Sequence, residues 1–111
     1  MPIEERFITF NLDEVYQAIA TLCEQEKTPP PPDGTLRSID VDVSAGEKQE
    51  RVTLHIEKID GSGTSHLEYD RRFFAVALIM FCIKNKIPLP RAGTKLLKFL
   101  DDRIIMKVEL N

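Results

Sequence analysis

Residues 73–83 form an unbroken run of eleven apolar residues, from Phe73 to Ile83. Arg71 and Arg72 precede the run, Lys84 follows it, and about 20 residues are needed to span a bilayer, so we do not expect a membrane helix. Its length and alanine content favour a helix over about 67–86, although a central buried strand is the local alternative. Because such a helix is apolar all round, it must lie against a sheet or contribute one face to a subunit contact.

Residues 12–26 have the pattern of an amphipathic helix. Asn11 and Glu14 have the spacing of a capping box, in which each side chain pairs with the other residue's backbone N–H. Apolar residues recur on one face at Leu12, Val15, Tyr16, Ile19, Leu22 and Cys23. The prolines at 29–32 must end this helix, and Pro88 and Pro90 must end the second, since proline excludes itself and its predecessor from helical conformations.

Two segments alternate apolar and polar residues and predict antiparallel hairpins. In the first, over about 36–59, pairing Val43 with Val52 directs all apolar side chains to one face. In the second, pairing Phe99 with Ile104 does the same over 95–110, although residues 95–100 also fit a short amphipathic helix. A further strand is expected at 6–10.

These elements predict an α+β fold in one domain over 1–111. We expect a mostly antiparallel sheet of about five strands, in the order β-α-β-β-α-β-β, with two helices packed on one face. Both halves share the pattern of helix, proline stop and hairpin, but the pattern gives no residue alignment, so we identify no repeat.

The net charge of −3 conceals a segregation of charge along the chain. Residues 1–70 contain six basic and fifteen acidic residues, whereas residues 71–100 contain seven basic and no acidic residues. The N-terminus lacks the pattern of a secretory signal, and Cys23 and Cys82 are isolated among apolar residues. We therefore expect a cytoplasmic protein with two buried free thiols, without a metal site or a cofactor.

Asp40, His55 and Glu57 are the one set of residues that could form a catalytic centre. The expected hairpin register places all three on one face, where a histidine beside carboxylates can act as a general base. A solvent-exposed sheet face also carries such residues without catalysing anything. His66 has no identifiable partner, no nucleophile motif is present, and the glycines fit no phosphate-binding loop.

Lys84, Lys86, Arg91 and Lys95 are the candidate residues for binding an anion or a partner. They cluster around Pro88 and Pro90, with Lys98 nearby, whereas Arg71 and Arg72 lie at the far end of the helix. Lys84 and Lys86 also have a structural explanation, because cations near a helix C-terminus interact favourably with its dipole.

The sequence favours a non-catalytic protein-interaction module, a homodimer or the binder of another protein, without membrane contact. Its alternative is the binding of nucleic acid or another polyanion through the basic 84–98 segment, which an acidic isoelectric point disfavours. An enzyme that uses Asp40, His55 and Glu57 is the third hypothesis.

Overall fold

The computed structural model describes residues 4–42, 51–89 and 94–110, which form six strands and two helices. In chain order these are β1 (Glu4–Asn11), α1 (Leu12–Glu26), β2 (Gly34–Asp42), β3 (Arg51–Lys58), β4 (Thr64–Asp70), α2 (Arg71–Lys84), β5 (Thr94–Phe99) and β6 (Arg103–Leu110). The predicted α+β class with antiparallel pairing is confirmed. No helix in these ranges is long and apolar enough to cross a membrane.

The strands form two three-stranded antiparallel sheets instead of one sheet. One has the order β1-β6-β5 and the other β2-β3-β4. The backbone N–H of Ile39 in β2 donates to the carbonyl of Asp101, which follows β5, at 3.0 Å and so joins the two sheets. Alternate residues of the strands are buried with the inner faces of α1 and α2 in one hydrophobic core. The other face of each sheet carries mainly polar side chains.

Helix α1 has the predicted bounds and the predicted cap. The Asn11 side chain accepts from the Glu14 backbone N–H, and the Glu14 carboxylate accepts from the Asn11 N–H, both at 2.9 Å. Strand β1 therefore runs into α1 without a connecting loop, because its last residue is also the helix N-cap.

Helix α2 begins later than predicted, because residues 64–70 form the strand β4. Their side chains alternate between exposed and half-buried, which is typical of a strand with one covered face. Asp70 then caps α2 by accepting from the Phe73 N–H at 2.8 Å. The element order is consequently β-α-β-β-β-α-β-β, with six strands where about five were predicted.

The first hairpin has a different register from the predicted one. Val52 lies opposite Val41, and Val43 is outside the described residues. The difference is two residues, so the apolar side chains still share one face, and the face pattern alone cannot distinguish the two registers. A β-bulge between Leu36 and Ser38 shifts the pairing further along the strand.

The C-terminal hairpin has the predicted register, with Phe99 opposite Ile104 and Leu97 opposite Met106. Residues 95–100 therefore follow the strand alternative over almost their whole length, since β5 ends at Phe99.

The two sheets and the two helices form an internal repeat. β5, β6, β1 and α1 form one unit, and β2, β3, β4 and α2 form the other. In each unit the third strand runs directly into a helix that an Asn or Asp side chain caps. Residues 8–35 correspond to residues 67–94 at a constant separation of 59, so that Asn11 is equivalent to Asp70. The identical pairs are Ala18 and Ala77, Cys23 and Cys82, Lys27 and Lys86, Pro29 and Pro88, Pro31 and Pro90, Gly34 and Gly93, and Thr35 and Thr94.

The strand registers extend this equivalence to the rest of both sheets. Leu54 pairs with Leu67, and Met106 pairs with Ile8, the residue equivalent to Leu67. β3 and β6 are therefore equivalent as well, and the buried residues Val52, Leu54 and Ile56 correspond to Ile104, Met106 and Val108. Described positions in the paired strands and in the helices of one unit, the bulge residue excepted, can thus be compared with positions that have the same place in the other unit.

Candidate functional site

Three of the four basic residues predicted to bind a partner lie within the described chain, and they belong to different parts of the fold. Lys84 is the last residue of α2, Lys86 follows two residues later, and Lys95 belongs to β5. Lys95 shares the inward face of β5 with Leu97, whereas Lys98 has the opposite parity and is exposed. Arg91 is outside the described residues.

Arg71 has a structural role that the sequence analysis did not identify. Its guanidinium donates to the carbonyl of Leu97 and lies 5.2 Å from the centre of the Phe99 ring. Both partners belong to β5, so Arg71 links the start of α2 to the sheet of the other unit. Arg72, the next residue, is exposed.

Helix α2 carries an apolar stripe that its own chain leaves exposed. Phe74, Ala77, Leu78 and Cys82 are buried, but Val76 is 42% exposed and Ile83 is 70% exposed. Met80 lies between these two along the helix and is partly buried. Spacings of four and three residues place Val76, Met80 and Ile83 on one helix face, which we call the α2 stripe.

The equivalent positions in α1 are polar. Val76, Met80 and Ile83 correspond to Gln17, Thr21 and Glu24. The fold is therefore compatible with polar residues at all three positions. The buried residues beside the α2 stripe differ in this respect, because Phe74, Ala77, Leu78 and Cys82 correspond to the apolar and buried Val15, Ala18, Ile19 and Cys23.

A groove of about 350 Å³ lies between the two helices and includes Met80 and Ile83 of the α2 stripe, whereas Val76 lines a second depression. Equivalent pairs line the groove from both sides, namely Ala18 and Ala77, Thr21 and Met80, and Gln25 and Lys84, together with Phe81 and Ile83. The C-terminal part of α1 faces the first turn of α2 across the second depression, so the helices are antiparallel. Ala18 and Ala77 line the groove and are almost fully buried.

The two helices that border this groove have opposite charges. Asp13, Glu14, Glu24 and Glu26 are the charged residues of α1, and Arg71, Arg72 and Lys84 are those of α2. The segregation seen along the sequence thus becomes an acidic helix beside a basic helix. No side-chain ion pair to Lys84 or Lys86 occurs within 4–42, 51–89 and 94–110.

A second cluster lies on the face of the β2-β3-β4 sheet that the helices do not cover. The Nε2 of His55 is 2.5 Å from an Asp40 carboxylate oxygen, and its Nδ1 is 2.6 Å from the Nδ1 of His66. His66 lies directly opposite His55 in the sheet. The sequence pattern does not identify this partner, because it predicts a turn and a helix in this segment instead of a strand that pairs with β3.

Glu57 does not join this cluster, contrary to the prediction that grouped it with Asp40 and His55. Its carboxylate accepts from the Arg37 guanidinium at 2.7 Å. The proposed catalytic set therefore keeps two of its three members. Both ring nitrogens of His55 already have partners.

Cys23 and Cys82 are buried free thiols, as predicted. The Cys23 sulfur is 3.9 Å from the Tyr69 hydroxyl. Burial, and then the Cys23 thiol, raise the pKa of Tyr69 to about 12. Burial, and then the Glu14 carboxylate, also raise the pKa of Cys82. A raised thiol pKa decreases the thiolate fraction, so Cys82 is poorly suited to act as a nucleophile.

In the described ranges, no group of three or more His, Cys, Asp or Glu residues is arranged to hold a metal ion. Comparisons of the chain with models of known protein families, with curated proteins and with solved structures each found no match.

Proposed function

We propose that this protein is a non-catalytic interaction module that docks another protein on the α2 stripe. The observation that carries the proposal is the contrast between Val76, Met80 and Ile83 and their polar equivalents in α1. Exposed apolar residues that the fold does not require are typical of a docking surface.

The expected partner segment is an amphipathic helix with acidic flanks. Its apolar face would contact the α2 stripe, and its acidic residues would lie near Lys84 and Lys86 at one end of the stripe and Arg72 at the other. Helix-in-groove recognition uses apolar anchors at helical spacing, and complementary charge adds specificity and association rate.

A second copy of this chain, which would make the homodimer suggested by the sequence, fits the stripe less well. Any symmetric pairing of two α2 stripes brings basic residues next to basic residues. A parallel arrangement opposes Lys84 to its own copy, and an antiparallel one opposes Lys84 to Arg72. Packing α2 on the acidic α1 of another copy matches the charges but places apolar residues against Gln17, Thr21 and Glu24.

The test uses a fluorescent synthetic peptide of about 16 residues that forms a helix with leucine on one face and glutamate on the others. The double variant V76Q/I83E carries the residues that α1 has at these positions, so we expect it to fold. It should bind the peptide at least about tenfold more weakly than the wild type in fluorescence anisotropy. Ile59 is 82% exposed and follows β3 instead of belonging to α2, so I59Q is the matched control and should bind normally.

Three results would contradict the proposal. They are equal affinity of the wild type and V76Q/I83E, stronger binding of a peptide with lysine in place of glutamate, and a dimer in sedimentation equilibrium that V76Q/I83E abolishes. The last result would assign the stripe to a second copy of the chain.

Replacing Lys84, Lys86, Arg91 and Lys95 together with glutamine should weaken binding of the acidic peptide.

The alternative, binding of nucleic acid, is tested by the same fluorescence anisotropy measurement with a labelled oligonucleotide in place of the peptide. Phosphate contacts would make the affinity for a labelled RNA or DNA oligonucleotide fall steeply with salt. The opposite parity of Lys95 and Lys98 on β5 disfavours a continuous phosphate-binding surface. If the protein binds the oligonucleotide more tightly than the acidic peptide, the proposed protein partner is wrong and the ligand is a polyanion.

A further inference from the structure

We propose that His55 and His66 form a binding site for a divalent transition metal, with Asp40 orienting His55. This site lies on the sheet face opposite the helices, so it is separate from the α2 stripe. Imidazole nitrogen is a ligand for Zn²⁺, Cu²⁺ and Ni²⁺, and the two imidazoles face each other on neighbouring strands.

The hydrogen bond to Asp40 determines how His55 presents its second nitrogen. The carboxylate accepts from Nε2–H of His55, so in the neutral ring Nδ1 carries a lone pair. That lone pair accepts the Nδ1–H of His66, 2.6 Å away. A metal would replace this hydrogen, and the neutral His66 ring would then carry its proton on Nε2. Histidines that bind metals commonly donate their other ring N–H to a carboxylate, which fixes the ring orientation and increases the basicity of the ligand.

The internal repeat shows that the sheet does not need this arrangement. The positions equivalent to His55 and His66 are Lys107 and Phe7, and Asp40 corresponds to Lys98 across the bulge. In that sheet Lys107 forms ion pairs with Glu5 and Glu109 at 3.5 and 3.3 Å. The same fold position is therefore occupied by an ordinary surface charge pair in one unit and by an Asp-His-His cluster in the other.

The distance between the two nitrogens is close to what a shared metal requires. Two nitrogens bound to one tetrahedral zinc at about 2.1 Å lie about 3.4 Å apart. The rings would have to separate by less than about 1 Å, which small side-chain rotations on an uncovered sheet face allow. Since the described residues offer no third ligand in a suitable arrangement, solvent would complete the coordination and leave an open position on the metal.

The experiment is a titration of the whole chain with Zn²⁺, followed by isothermal calorimetry and by NMR of the histidine rings. The chain has two histidines, so each ring signal is assignable with a single variant. We expect one Zn²⁺ per chain and shifts of both rings. H55A and H66A should each decrease the affinity at least about tenfold, and D40N should decrease it by about 10- to 100-fold.

E57Q is the matched control, because Glu57 shares this sheet face but pairs with Arg37. It should bind Zn²⁺ as the wild type does. Circular dichroism of each variant checks that a loss of binding is not a loss of fold. The proposal is overturned by an absence of binding at about 1 mM Zn²⁺, by binding that survives in H55A/H66A, or by a greater loss in E57Q than in H66A.

Discussion

Lys27 and Lys86 have almost the same left-handed backbone conformation, with φ of 55° and 58°, at equivalent positions of the internal repeat. Each ends a helix with the same pair of hydrogen bonds. The N–H groups of Lys27 and Thr28 donate to the carbonyls of Glu24 and Cys23, and those of Lys86 and Ile87 donate to the carbonyls of Ile83 and Cys82. This is the Schellman arrangement, in which glycine is the preferred left-handed residue.

Replacing either lysine with glycine should therefore stabilise the protein. We expect K27G and K86G each to raise the free energy of unfolding by about 0.5–1 kcal/mol, because glycine adopts a positive φ without steric cost. Urea denaturation measures the change. K27A and K86A remove the same side chains but keep the Cβ, so they should give no gain, and equal stabilisation by alanine would contradict the explanation.

Arg71→Ala should destabilise the fold by about 2 kcal/mol, since it removes a charged hydrogen bond to Leu97 and a cation–π contact with Phe99. R72A is the control, because Arg72 is the exposed neighbour, and its effect should stay within about 0.5 kcal/mol. Thermal or urea unfolding of the two variants measures the difference. Similar losses in both would show that charge in the first turn of α2, and not the contacts with β5, is responsible.

Gly34→Ala should cost about 2 kcal/mol or more, as is typical when an added group has no space. A Cβ at Gly34 would lie 2.1 Å from the Glu57 carbonyl oxygen, and this backbone atom cannot move without disturbing the pairing of β2 with β3. The neighbouring variant T35A should cost less than about 1 kcal/mol. Urea unfolding compares the two, and a nearly neutral G34A would mean that β2 and β3 can separate at this end.

Tyr69 should make the stability fall in alkaline solution. Its pKa is raised from 10.0 to about 12 by burial and by the Cys23 thiol, so the fold favours the protonated phenol. This contribution is complete below pH 10. It is lost as the pH rises from 10 towards 12, because the unfolded chain releases the proton first. Urea unfolding between pH 9 and 11 should therefore show a shallower decline for Y69F than for the wild type, and parallel declines would contradict this role.

The sequence predicts elements well where a local pattern has one interpretation. Helix α1 has an apolar stripe and a complete capping box, and the C-terminal hairpin has one register that buries its apolar residues. The sequence does not predict β4, because its residues are mostly polar, none of them is fully buried, and its last residue is also a helix cap. The first hairpin was misregistered by two residues because this shift leaves every side chain on its original face.

The candidate sites depend on contacts between residues that are distant in sequence. His66 lies opposite His55 because β4 is a strand. Glu57 pairs with Arg37, which lies at a β-bulge that the sequence pattern does not predict. Because residues 73–83 are all apolar, their sequence does not indicate which face of α2 is exposed. The internal repeat is difficult to find because only seven of the 28 residue pairs at constant separation are identical, and because the bulge after Leu36 and the unequal turns change the separation elsewhere. Once the repeat is known, the polar residues of α1 indicate which apolar positions of α2 face outwards.

Because both repeat units belong to one polypeptide, each unit can mutate independently and occurs once per molecule. In a pair of identical subunits, a single mutation changes both copies, so the two halves of the assembly cannot differ. In this chain a codon change alters one unit alone, which allows one helix to remain polar and acidic while the other is apolar and basic. A ligand that recognises either unit therefore meets one site per molecule, and its binding curve saturates at one equivalent.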